Sequence, residues 1–225
     1  MTRKFSHDIV DVGYTDLVTD TSATKGRTYH TPSGSTYPSI TTVLGILSED
    51  AIRAWRDRVG QVEADKISYR ASSRGTRVHT IVERYLKNQD TSDFLPHIRQ
   101  SLENLKPILE DIGTIFGLEV PLYSDHLGVA GRCDCIAQYN GVPSIIDFKT
   151  SRYTKKKEKI SHYFAQGAAY SVMYEERTGN VAPNIVIIMD VDHEKPVVFV
   201  EHRDNYIKLV KETIDEYRTR KMFGH

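Results

Sequence analysis

Cysteine is nearly absent: Cys133 and Cys135 are the only two in 225 residues. Thiols that flank a single residue close too small a loop for a disulfide. Two also fall short of the four ligands of a zinc or iron–sulfur centre, so no iron–sulfur cluster is expected. On a regular strand the two point the same way, as small apolar fillers in a reducing compartment. No stretch approaches the roughly 20 apolar residues of a membrane span. The N-terminus mixes Lys4 with Asp8 and carries neither a signal nor a transit pattern. A soluble, cytoplasmic protein with no membrane partner is expected. An excess of charge is missing too, since thirty Lys and Arg balance thirty Asp and Glu. Any pull on a polyanion is therefore local.

What is present reads as alternating layers. The first forty residues are polar, with a turn at Pro32–Gly34 between two tyrosine-bearing stretches, which predicts a hairpin or ordered arm. Ser48 stands as an N-cap before a helix over 49–59 that carries the sole tryptophan, Trp55, for which core packing is the default. From Gly75, Val78, Ile81, Val82 and Tyr85 recur at helical spacing, and a longer helical pattern runs from Leu95 to about Ile115. Strands are expected over 118–123, 129–139 and 142–149, then a helix over 160–176 that stops at Gly179. Strands over 185–189 and 197–201 and a helix over 205–220 complete the chain. That order predicts an α/β fold, a mixed central sheet flanked by helices, with an antiparallel meander at its centre.

Asn140-Gly141 between two β-rich runs is a strong signal for a two-residue hairpin, and it sets Tyr139 against Val142. Counting outward places Asp134 opposite Asp147 and Arg132 opposite Lys149, all on one face with Ile136 and Ile145. Opposed Cβ atoms lie roughly 4.5–5.5 Å apart, where two carboxylates repel unless a proton or cation separates them. Oxygen ligands at that spacing suit Mg²⁺, which takes one or two carboxylates and fills its shell with water and phosphate. Lys149 shares the face, placed to orient water and offset phosphate charge. The competing reading is a set of solvated charges on an exposed sheet face.

Gly131-Arg-Cys-Asp134, followed by Ile145-Ile-Asp147-Phe-Lys149-Thr-Ser, resembles the paired motifs of the PD-(D/E)xK nuclease superfamily. Gly75-Thr-Arg-Val-His79 with Glu83, the pair Gln166 and Tyr170, and Pro38-Ser-Ile-Thr-Thr-Val-Leu extend the likeness to its RecB-type branch, which includes mitochondrial and phage exonucleases. The resemblance implies a restriction-endonuclease-like core and a single nuclease domain over 1–225, with core residues 75–225. Residues 1–74 would be an N-terminal helical and hairpin region forming part of a DNA channel. It implies His79, Asp134, Asp147 and the main-chain carbonyl of Phe148 as ligands of Mg²⁺, for which Mn²⁺ can substitute. Lys149 is then the catalytic lysine, with Gln166 and Tyr170 bracing the site and Glu119 a possible upstream acid. Cys133 stands where the superfamily name has proline. The implied activity is exonucleolytic hydrolysis of single-stranded DNA or DNA ends to 5′-phosphates, in the host cytoplasm if the source is a phage. A structure-specific endonuclease and a non-catalytic nucleic-acid-binding module are the alternatives.

Plain readings stand beside these. His79 and Glu83, one turn apart, also suit a surface pair. Gln166 and Tyr170 share a stripe with Tyr163 and Tyr174 that suits packing. Lys155, Lys156, Lys157 and Arg132 are candidates for DNA phosphates, with a solvated loop as the alternative for the lysines. Tyr29, Tyr37 and Trp55 are candidates for stacking on unpaired bases.

Overall fold

A computed structural model describes residues 4–22 and 26–224; residues 1–3, 23–25 and 225, which include part of the expected arm, lie outside the described residues. The arm is a three-stranded antiparallel sheet, β1 (Val18–Ser22), β2 (Gly26–His30) and β3 (Thr36–Pro38), in which Tyr29 pairs with Tyr37. Helices α1 (Ile40–Leu44), α2 (Glu49–Val59), α3 (Gln61–Leu86) and α4 (Pro96–Leu109) follow. The main sheet holds β4 (Ile112–Ser124), β5 (Val129–Tyr139), β6 (Val142–Ser151), β7 (Asn184–Val191) and β8 (Val197–His202) in sequential order. Only β6 and β7 run parallel, because α5 (Ser161–Thr178) crosses between them; α6 (Asp204–Met222) follows β8. Among the described residues no helix is long and apolar enough to cross a membrane.

The sheet is covered on both faces, which is why β7 reads as a nearly continuous apolar run from Ile185 to Met189. On one face Ile145, Ile185, Ile187 and Met189 meet α1, α5 and α6 through Val43, Phe164, Ala168 and Ile214. On the other, Ile146, Phe148, Val186 and Ile188 meet α3 and α4 through Val78, Ile81, Leu102 and Leu105. Gly167 permits the closest approach of α5, since a Cβ there would lie 2.3 Å from Ile185.

Four expectations are revised. Gly75 does not begin a helix but lies inside α3, where a Cβ would stand 3.4 Å from Thr150 Oγ1, so this turn of α3 runs close to β6. The pattern that read as helix to Ile115 breaks at Leu109, and β4 begins at Ile112. Irregular pairing in β4 between Ile112 and Gly117 puts the buried Ile112 and Ile115 three residues apart, a helical interval made by bulges. Trp55 is half-buried on a helix with no buried residue, and it belongs to none of the core clusters. Finally, the two cysteines do not share a face: Cys133 joins the α5 side and Cys135 the α3 side.

Candidate metal centre

That last revision locates the centre. The hairpin forms as the turn demands, with Asn140 and Gly141 at φ +49° and +81° and Tyr139 paired with Val142. The register continues to Cys135 against Ile146 and stops one step short of Asp134 and Asp147. Instead of a backbone rung, Asp134 Oδ2 accepts the Phe148 amide at 2.9 Å. On the other side of β5, pairing runs from Val120–Cys133 to Leu118–Cys135 and omits Glu119 and Asp134 between them. Glu119 has φ +53°, which accounts for Leu118 and Val120, two residues apart, joining opposite faces of the sheet. Both strands thus change face at one point, and regular alternation fails there.

The consequence is a convergence of donors from three elements. His79 on α3, Glu119 on β4 and Asp134 on β5 offer ligand atoms that all lie within 4.8 Å of one another. His79 Nδ1 is 3.4 Å from Asp134 Oδ2, and the His79 ring meets the edge of Phe148. These residues line a cavity of about 570 Å³ with Thr76, Thr80, Gln166 and Tyr170. Burial, then the Asp134 and Glu83 carboxylates, raise the Glu119 pKa to about 7.

Asp147 and Lys149 face α5, as expected for residues two and four beyond Ile145. Asp147 is 1% exposed and does not line the cavity. Its Oδ1 accepts from Gln166 Nε2 at 3.0 Å, while Lys149 Nζ lies 2.6 Å from Oδ2. The ammonium is the one charged partner of this buried oxygen among the described residues. Burial raises the Asp147 pKa to about 6 against the opposing effect of Lys149, with Asp134 adding to the rise. Burial acts to lower the Lys149 pKa, but Asp147 and Asp134 outweigh it, so the ammonium stays charged. Lys149 Nζ also reaches Gln166 Oε1 at 3.4 Å and sits 5.0 Å from the Tyr163 ring centre. Gln166 lies 3.5 Å from the Tyr170 hydroxyl, and Tyr170 requires Gly131, whose Cβ would stand 2.8 Å from its ring.

Among the residues singled out in sequence, His79, Asp134, Glu119, Glu83, Gln166, Tyr170 and Arg132 share the cavity wall. Glu83 is ion-paired to Lys87 at 2.5 Å. The pairing of β5 with β6 ends before it reaches Arg132 and Lys149; on β4, Arg132 pairs with Pro121, and it binds Asp16 and the Glu119 carbonyl. Lys155 donates to the Tyr163 hydroxyl, Lys157 is ion-paired to Glu201, and Lys156 is exposed. Tyr29 lines the cavity, whereas Tyr37 bonds Asp125 away from it. Ser39, Thr41 and Thr76, which the sequence motifs contain without a role of their own, also stand on the wall, and sequence reading overlooked Arg27 and Thr80 there. Thr80 was accessible by helical spacing, four residues after Thr76 and three before Glu83.

The donor chemistry fits a divalent cation. One imidazole and two carboxylates within a cation's reach, with the Glu119 pKa raised by burial and by Asp134, are what a hard ion would relieve. Residues 96–222 match the model of the PD-(D/E)XK nuclease superfamily, and the chain belongs to that superfamily. Its fold and candidate triad are consistent with metal-dependent nuclease activity. The chain is 32% identical over 84 residues to mitochondrial genome maintenance exonuclease 1 of Homo sapiens, a stretch that is 36% of this chain and 24% of the human protein. The solved structure of the "Putative exonuclease" from Eubacterium rectale is similar at 18% identity over 65% of each chain, with a TM-score of 0.47.

Proposed function

We propose that this protein is a Mg²⁺-dependent deoxyribonuclease that removes nucleotides from single-stranded DNA or DNA ends. The observation that carries the reading is the charged, half-buried Lys149 paired with the buried Asp147 beside the His79, Glu119 and Asp134 triad. A divalent ion held there would supply Lewis-acid charge and a water of lowered pKa. His79, Glu119 and Asp134 would hold it, with Asp147 as a further candidate ligand. In an extended strand the N–H and C=O of one residue point to the same edge. The Phe148 carbonyl therefore faces the gap that its amide crosses to reach Asp134, and it is available as a further ligand.

Lys149 positions the attacking water and offsets the charge that gathers on the phosphate oxygens. Gln166 fixes Asp147 and Lys149 together, and Tyr170 backs Gln166. In-line attack breaks the bond from phosphorus to O3′ and leaves a 5′-phosphate. The exonuclease mode, the RecB-type branch and the preference for single strands draw on the sequence motifs and on the name of the human relative. Residues 1–74 serve as one wall of the DNA channel within a single nuclease domain, a role favoured by Arg27, Tyr29, Ser39 and Thr41 at the cavity.

The test is incubation with end-labelled linear and circular DNA, single-stranded and duplex, with Mg²⁺ or EDTA, beside Lys149→Ala. Loss of linear single strands with Mg²⁺ alone, abolished in the variant, is the expected result. Cutting of circles would make the protein an endonuclease, and binding without turnover a non-catalytic module. Undiminished activity in Lys149→Ala would remove the proposed catalyst.

A further inference from the structure

Glu119 reaches the triad through a left-handed backbone that a non-glycine residue seldom adopts and that the neighbouring strand does not brace. Its carbonyl, left without a rung to Asp134, accepts Arg132 Nη1 at 2.8 Å. Arg132 pairs with Pro121, so Glu119 is its diagonal cross-strand neighbour, within reach of a long side chain only. The second guanidinium nitrogen, Nη2, is ion-paired to Asp16 in the segment that leads into β1. Arg132 thus joins three parts of the chain through a planar fork whose two arms are both engaged.

We propose that Arg132 is a positioning residue for the metal triad: bound to the Glu119 carbonyl and steadied by Asp16, it holds the kink that delivers the Glu119 carboxylate. This rests on reading the triad as a cation site. It differs from a role in gripping DNA phosphate, since a phosphate would first have to displace Asp16. Lysine cannot replace the fork, because one ammonium reaches the carbonyl or the carboxylate but does not hold both in a fixed plane.

The experiment is calorimetric titration of the whole protein with Mn²⁺, without DNA, for the wild type, Arg132→Ala, Arg132→Lys and Asp16→Asn, each alone and with Glu119→Gln. Thermal melting runs alongside. Arg132→Ala should weaken Mn²⁺ binding by roughly 10- to 100-fold, as removal of a ligand's support does. Arg132→Lys should restore part of that. Asp16→Asn, at an exposed position that does not endanger folding, should weaken binding in the same direction by a smaller factor. With Glu119→Gln already present, Arg132→Ala should add little, because the two act as a unit. Wild-type Mn²⁺ affinity in Arg132→Ala or Asp16→Asn, or an equal loss in the Glu119→Gln background, would overturn the positioning role. Absence of Mn²⁺ binding by the wild type would instead sink the cation reading itself.

Discussion

Glu119 and Asp134 occupy facing places on β4 and β5 at the single point where both strands exchange faces of the sheet. Their carboxylates belong to one group of converging donors, and the Glu119 pKa rises to about 7 through burial first and Asp134 second. A carboxyl whose folded pKa exceeds its ordinary value binds a proton more readily folded than unfolded. Its contribution to stability is therefore complete below about pH 4.5 and is lost as pH climbs through about 7. The metal-free protein should melt progressively lower across that interval relative to Glu119→Gln, as scanning calorimetry over a pH series would record. Mn²⁺ affinity should rise over the same interval with release of a proton, read from titrations in buffers of different ionisation heat.

Lys149→Ala should do more than stop turnover. Removing one member of a buried ion pair leaves the other charge uncompensated, at about 3–5 kcal/mol. Asp147 already has its pKa raised to about 6 with the lysine in place, so the variant escapes part of the loss by taking up a proton in acid. Urea titrations should show a large destabilisation at about pH 8 and a smaller one at about pH 5. Equal losses at both would mean that Asp147 does not carry the buried charge.

Two glycines separate packing from chemistry. A Cβ at Gly167 meets Ile185 in the core, and one at Gly131 meets Tyr170 beside the cavity. Either alanine should cost about 1–3 kcal/mol by overpacking. Only Gly131→Ala should also lower turnover of the variant still folded, because it displaces the Tyr170 ring that backs Gln166. Melting curves and single-turnover rates on the two variants would distinguish them.

The lysine run should act unevenly on DNA. Lys156 is exposed and, among the described residues, in no ion pair, while Lys157 is held by Glu201. Lys156→Ala should reduce the slope of log affinity against log salt by about 1, whereas Lys157→Ala should change it little. Fluorescence titrations with a single-stranded oligonucleotide at several salt concentrations provide the readout.

How much of this was legible beforehand follows from what side-chain alternation encodes. The Asn140-Gly141 turn fixed the register as far as Cys135 and Ile146, and β5 spans Val129–Tyr139 as expected. Gly179 ends α5 in the left-handed conformation expected of it. Period-two counting also put Asp147 and Lys149 on the α5 face with Ile145. It failed between Cys133 and Cys135, which join opposite faces where the β4–β5 pairing skips Glu119 and Asp134. Glu119 itself turns on a positive φ that nothing in Leu-Glu-Val announces. His79 came from motif resemblance, since spacing alone left it open to a surface role. The contact of Arg132 with Asp16 depends on how the segment before β1 lies against β5, and that with Glu119 on the kink in β4; no local pattern specifies either.

The Asn140–Gly141 apex is open to solvent and lies six residues from Asp134, on the order of 20 Å of strand at ~3.4 Å per residue. The hairpin thus works as a ruler whose graduations matter near the sheet's far end while its tip carries no chemistry. A fluorophore or affinity handle attached at that tip would ride on the strand pair, giving a reporter fixed relative to the candidate metal centre.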